Sequence, residues 1–149
     1  MRNELSYKLL FRPGSAGSTS TTERTSADFL IDGESLLRIL VQEDGGHGDL
    51  MGVLVHGYPE SNADVAMQLR LQVAPPSHSE RVLLYICPEC GDIGCGAYSA
   101  MVNRDEEIYT WKDFFYENGY EDPRSLETVG PFLFEASQYE AAILSASAL

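Results

Sequence analysis

At 149 residues the chain has the size of one domain built round one hydrophobic core. Its apolar content of 44%, with six Phe, eight Tyr and one Trp, can fill such a core and excludes a wholly disordered chain. A net charge of −13, from 23 acidic and 10 basic side chains, makes nucleic acid and anionic membrane surfaces poor partners, because both are held by Lys and Arg. A basic protein is the partner such a surface attracts.

The N-terminal run MRNELSYKLLFRPG is interrupted by Lys8 and closed by Arg12, so it does not read as a signal peptide. No apolar run approaches the ~18 residues of a membrane span, and a cytoplasmic location is expected. Residues 5–11 read as a strand ended by Pro13 and Gly14. Residues 15–26, rich in Ser, Thr and Gly, read as a flexible loop. Residues 27–31 suggest a second short strand. Asp32 is placed to cap a helix that carries Leu36, Leu37, Leu40 and Val41 on one face and stops at Gly45-Gly46.

Residues 50–55 read as a buried strand. Val65, Met67, Leu69, Leu71 and Val73 then alternate with Ala66, Gln68, Arg70 and Gln72, a period of two that predicts a half-buried strand. Residues 81–86, 97–103 and 108–115 read as three more strands, and their short connections suit antiparallel neighbours. Residues 118–124 form a polar loop, and 132–134 a short final strand. The capping-box pattern from Ser137 to Glu140 opens a C-terminal helix. The expected fold is one α+β domain over residues 1–149: an antiparallel β-meander sheet, one internal helix and a C-terminal helix packed on the sheet.

Chemistry gathers at CPECGDIGCG. Cys87 and Cys90 form the CPxCG turn of a zinc knuckle, and Cys95 adds a third soft ligand. His56 is the leading fourth ligand, with His47, His78 and Asp92 as alternatives; the second CxxC of a zinc ribbon is missing. A redox dithiol would need Cys87 at a helix N-terminus, whereas strands flank this turn and Gly91, Gly94 and Gly96 oppose a helix. The third reading packs the thiols as small apolar groups. Three cysteines within nine residues do not suit a disulfide framework. The cofactor expectation is therefore none, or one structural zinc ion on Cys87, Cys90, Cys95 and His56.

Asp105, Glu106, Glu107, Glu117, Glu121 and Asp122 fall in or beside turns and suggest a negatively charged binding rim, with Trp111 and Tyr116 as aromatic anchors. Strand alternation sends about half of the aromatics of this region to the core instead. No Walker loop, GxGxxG, HExxH or GxSxG pattern is present, and no catalytic residue is assigned.

The runs LLYICPECGDIGCGAYSAMV and IYTWKDFFYENGY together resemble a group of small bacterial proteins that share a CPECGDxGCGA turn and a following WxDF segment. The matching residues are Cys87, Cys90, Gly91, Asp92, Gly94, Cys95, Gly96, Trp111, Asp113 and Phe114. The resemblance implies no established activity. An oxidoreductase label attached to some of these proteins lacks support here, because no cofactor motif accompanies the cysteines. The functional expectation is a non-catalytic, acidic, immunity- or antitoxin-type protein that neutralises a basic bacterial toxin domain by binding it. The alternative is a zinc- or thiol-dependent, oxidoreductase-like enzyme centred on the cysteine turn.

Overall fold

Aromatic residues at alternate positions commit the segment after the cysteine turn to a long strand, and the other elements assemble round it. The computed structural model describes residues 2–13, 23–46, 48–76, 79–88, 96–118 and 120–149. Among the described residues, β1 (Leu5–Arg12) and β2 (Arg24–Ile31) form an antiparallel pair, and β3 (Glu34–Ser35) lies on the other side of β2. The second sheet runs β4 (Met51–Gly52), β5 (Val82–Ile86), β6 (Ala97–Asp105), β7 (Ile108–Glu117). Beyond β7, two short strands, β8 (Arg124–Ser125) and β9 (Phe132–Glu135), pair with different parts of it. Every strand pair is antiparallel, and β5–β6–β7 is the expected meander. The fold is α+β.

The two sheets meet at both ends. Ser26 bridges to Val55, and the Ala27 N–H donates to the Leu54 carbonyl at 2.9 Å. At the opposite end Asn3 pairs with Phe134, its N–H donating to the Leu133 carbonyl at 2.6 Å. Backbone pairing thus links the two sheets at two separate places among the described residues. Gly52 lies against β2 at one of these seams, where a Cβ would overlap the Ala27 carbonyl oxygen.

Three helices complete the described residues. Helix α1 (Leu36–Asp44) buries Leu36, Leu37 and Leu40, and Gly45 ends it in a left-handed conformation at φ 68°. Its cap is Ser35, whose Oγ accepts from the Arg38 N–H at 3.1 Å, rather than the expected Asp32. Asp32 instead occupies the β2–β3 turn, where its carboxylate accepts from the Asn3 side chain and the Glu4 N–H at 2.7 and 2.8 Å. Helix α3 (Ala136–Ser147) starts ahead of the expected Ser137, because the Glu135 carboxylate accepts from the N–H groups of Ser137 and Gln138.

The largest departure from expectation is α2 (Pro59–Leu69), which replaces the first half of the strand predicted for 65–73 and adds a second internal helix. Pro59 presets the first turn, and Glu60 suits the positive end of the helix dipole. The buried residues are Asn62, Ala66, Gln68 and Leu69, whose three- and four-residue steps are helical, so the apparent period of two was coincidental. Asn62 fastens this face: its amide accepts from the Val55 N–H at 2.9 Å and donates to the Val55 carbonyl at 2.8 Å. Two smaller boundaries also shift. Residues 24–26, placed in the flexible loop, are strand, and only Met51–Gly52 of the 50–55 segment form a ladder.

The WxDF segment has a structural meaning. Between β6 and β7 the register passes from Ser99–Phe115 to Met101–Lys112, so β7 carries one extra residue. Asp113 sits in this bulge at φ 52°. The bulge resets the alternation and lets Trp111 and Phe114, three apart, both reach the core at 0% and 1% exposure. Replacing Asp113 with Gly should preserve or raise stability to urea. Asp113→Val should lower it by roughly 1–3 kcal/mol, because a β-branched side chain resists the left-handed conformation. Equal stability of the two variants would contradict this assignment.

Candidate functional site

Glycine stops α1 immediately after Asp44, leaving an acid at the negative end of the helix dipole, where it needs outside compensation. That compensation is Arg124 of β8, whose Nε and Nη2 donate to the two Asp44 oxygens at 2.7 and 3.0 Å. The Asp44 side chain is only 2% exposed, while Arg124 keeps half of its surface open. Tyr98 adds a third bond, its hydroxyl donating to Asp44 at 3.1 Å. Antiparallel pairing puts Tyr116 opposite Tyr98, with the rings edge-on at 5.6 Å, and the Arg124 guanidinium lies 4.7 Å from the centre of the Tyr116 ring.

These groups form one wall of a cavity of about 390 Å³ between the end of α1 and the ends of β5, β6 and β7. Asp49, Cys87, Asn118 and Glu121 complete the parts of the lining that matter chemically. Burial, followed by the charge and hydrogen bond of Asp44, holds the Tyr98 hydroxyl well above the usual phenol range. The guanidinium's own hydrogen bonds to Asp44 raise Arg124, fixing its positive charge. Gly96 closes the cysteine turn against this wall at φ 120°, where a Cβ would overlap the Tyr116 hydroxyl.

The residues proposed as zinc ligands are not brought together by the described structure. Cys87 is a half-buried free thiol on the cavity wall; Cys90, Cys95, Asp92, His47 and His78 lie outside the described residues. His56 follows Val55, whereas Met51 pairs with Ile86 beside Cys87, so His56 lies towards the opposite end of β5. There it lines a separate depression of about 680 Å³ with Tyr7, Leu9 and Leu149. Among the described residues no cluster of three or more His, Cys, Asp or Glu is placed to hold a metal.

The expected binding rim also divides. Trp111 is wholly buried, and Glu117, at 5% exposure, is paired with Arg81 at 3.3 Å and bonded to Ser99, so neither can meet a partner. Asp105, Glu106 and Glu107 are exposed at the β6–β7 turn. Glu121 and Asp122 are exposed beyond the other end of β7, about 30 Å away at strand rise. Tyr116 faces the cavity. One rim becomes two patches.

Positive side chains are mostly engaged by the protein itself. Arg81 pairs with Glu117 and lies over Phe115, Arg104 pairs with Glu140 at 3.7 Å, and Arg124 holds Asp44. Arg12 donates to the Leu50 and Gly48 carbonyls, Arg70 to that of Ala66, and Arg24 lies over Tyr58. The carboxylates of Asp105, Glu106, Glu107, Glu121 and Asp122 have no such partner among the described residues.

Asp44, Asp49, Tyr98 and Arg124 did not stand out in the sequence. The one available signal was an acid in the last turn of a predicted helix, which calls for a cation from elsewhere. No protein-family model matches the chain, and neither the curated proteins nor the solved structures provide a match.

Burial raises the hydroxyls of Tyr85 and Tyr139 above the ordinary value of 10.0, and burial with Asp44 raises Tyr98. The folded chain thus holds these protons more tightly than the unfolded chain. Their stabilising contribution is complete below pH 10 and is lost as pH rises from there towards the folded-state values. Ultraviolet titration should show these three tyrosines un-ionised at pH 10, ionising together with unfolding at higher pH. Independent titration of all eight tyrosines near pH 10 in folded protein would contradict it.

Proposed function

We propose that the chain is a non-catalytic binding protein of the immunity or antitoxin type, acting in the cytoplasm against a basic toxin domain. The observation that carries this reading is the segregation of charge: most arginines are engaged by the protein itself, while carboxylates at both ends of β7 have no ion-pair partner among the described residues. Internal pairing leaves the outward field more one-signed than composition alone requires, which favours fast, salt-sensitive capture of a cationic protein. The Asp105–Glu107 turn is the steering patch, since its acids are exposed at the tip of a hairpin.

Coexpressed with a toxin domain encoded beside its own gene, the chain should co-elute with it and protect the host cell. Association should slow steeply between roughly 0.05 and 0.5 M salt as screening shortens the field. Asp105→Lys with Glu107→Lys should slow association roughly tenfold and leave the melting temperature nearly unchanged. Absence of both complex and protection would overturn the proposal.

A second reading, a zinc- or thiol-dependent enzyme, draws on the position of Cys87 at the cavity wall. It requires one zinc per chain purified without chelator, or a reversible disulfide between Cys87 and Cys90 with a depressed thiol pKa. If elemental analysis and thiol titration find neither, this reading is removed. A zinc that stabilises the fold without supporting any turnover leaves the binding proposal in place.

A further inference from the structure

We propose that the cavity beside Cys87 is a socket for an arginine side chain of the protein partner, held between the free carboxylates of Asp49 and Glu121 and the Tyr98–Tyr116 wall. This deepens the binding reading and rests on it. Among the described lining residues three carboxylates, Asp44, Asp49 and Glu121, accompany one guanidinium, Arg124, an excess of two negative charges. Asp44 and Arg124 satisfy each other through two hydrogen bonds. The uncompensated acids are therefore Asp49 and Glu121, both exposed and both without an ion-pair partner among the described residues.

The shape and surface select the kind of cation. A volume of about 390 Å³ falls within the range of sites that enclose small ligands. One planar guanidinium already rests against the Tyr116 ring, so this wall accommodates the group chemically. Gly96 leaves room for the Tyr116 hydroxyl, which a Cβ at that position would overlap. An anionic side chain would meet like charge. An apolar side chain would cover Asp49 and Glu121 without pairing them, at a desolvation cost that nothing repays.

The socket also has a kinetic role different from that of the Asp105–Glu107 turn. The two places are separated by the length of β7, so one can attract at a distance while the other holds. Removing a remote rim charge slows association, whereas removing the partner of an enclosed charge speeds dissociation.

The test titrates N-acetyl-arginine amide into the full chain, with its neutral isostere N-acetyl-citrulline amide as control, followed through backbone amide NMR. Arginine amide should shift the resonances of Leu50, Tyr98 and Asn118 saturably in the millimolar range, and citrulline amide should not. Asp49→Asn and Glu121→Gln, whose unchanged melting temperature verifies folding, should each weaken arginine binding roughly two- to fivefold. No shift at these positions, equal shifts from citrulline, or indifference to both substitutions would overturn the socket. In the toxin complex the double variant should raise the dissociation rate and leave association nearly unchanged. A complex whose dissociation ignores both substitutions refutes the socket but preserves the binding reading. Selective arginine binding without any toxin complex supports the cavity's preference and refutes the toxin reading instead.

Discussion

Trp111 is the residue on which the assembly turns. Its indole N–H donates to the Tyr139 hydroxyl at 2.9 Å, and that hydroxyl donates onward to the Leu69 carbonyl at 2.7 Å. One relay thus ties β7 to α3 and α3 to the last turn of α2, where a helix carbonyl would otherwise lack a partner. The Phe29 ring of β2 meets Trp111 edge-on at 5.4 Å, which brings the first sheet to the same point. A buried hydroxyl that both accepts and donates fixes relative position more sharply than apolar contact alone, because misplacement leaves polar groups unpaired.

A second buried polar pair works with the first. Asp28, 2% exposed, accepts from the Tyr85 hydroxyl and the Ser35 hydroxyl, both at 2.6 Å. The Tyr85 oxygen in turn accepts from the Phe29 N–H at 3.0 Å. β2, β5 and the start of α1 are therefore registered against each other by a carboxylate with no cation beside it, held by hydroxyl donors. Together the two networks reach both sheets and the three helices of the described residues. The far end of α1 is fastened separately, by the bonds that Tyr98 and Arg124 donate to Asp44.

Much of the meander was legible because β5, β6 and β7 carry alternating apolar residues between short turns. The helix α2 was not, since Val65, Met67 and Leu69 satisfy a period of two while Asn62, Ala66 and Leu69 satisfy a helix. Local pattern could not arbitrate; the bonds from Asn62 to Val55 did. The site was less legible still. Asp44 and Arg124 are 80 positions apart, and their pairing depends on β8 returning to the edge of β7. Trp111 and Glu117 were attractive as binding residues because their types recur at interfaces. A one-residue bulge and an arginine from the start of β5's approach decided instead that both belong inside.

The cysteine turn changes meaning in this setting. Its first residue, Cys87, lines the cavity, and its last, Gly96, leaves space for the hydroxyl of Tyr116, which lines it too. The acid at the end of α1 attracts Arg124, Arg124 covers Tyr116, and the glycine that ends the turn leaves room for the Tyr116 hydroxyl. Neutralising Asp44 internally removes the strongest local competitor for an incoming cation, so Asp49 and Glu121 are the acids that remain to meet it. Binding would then add a second guanidinium to a wall already organised around the first.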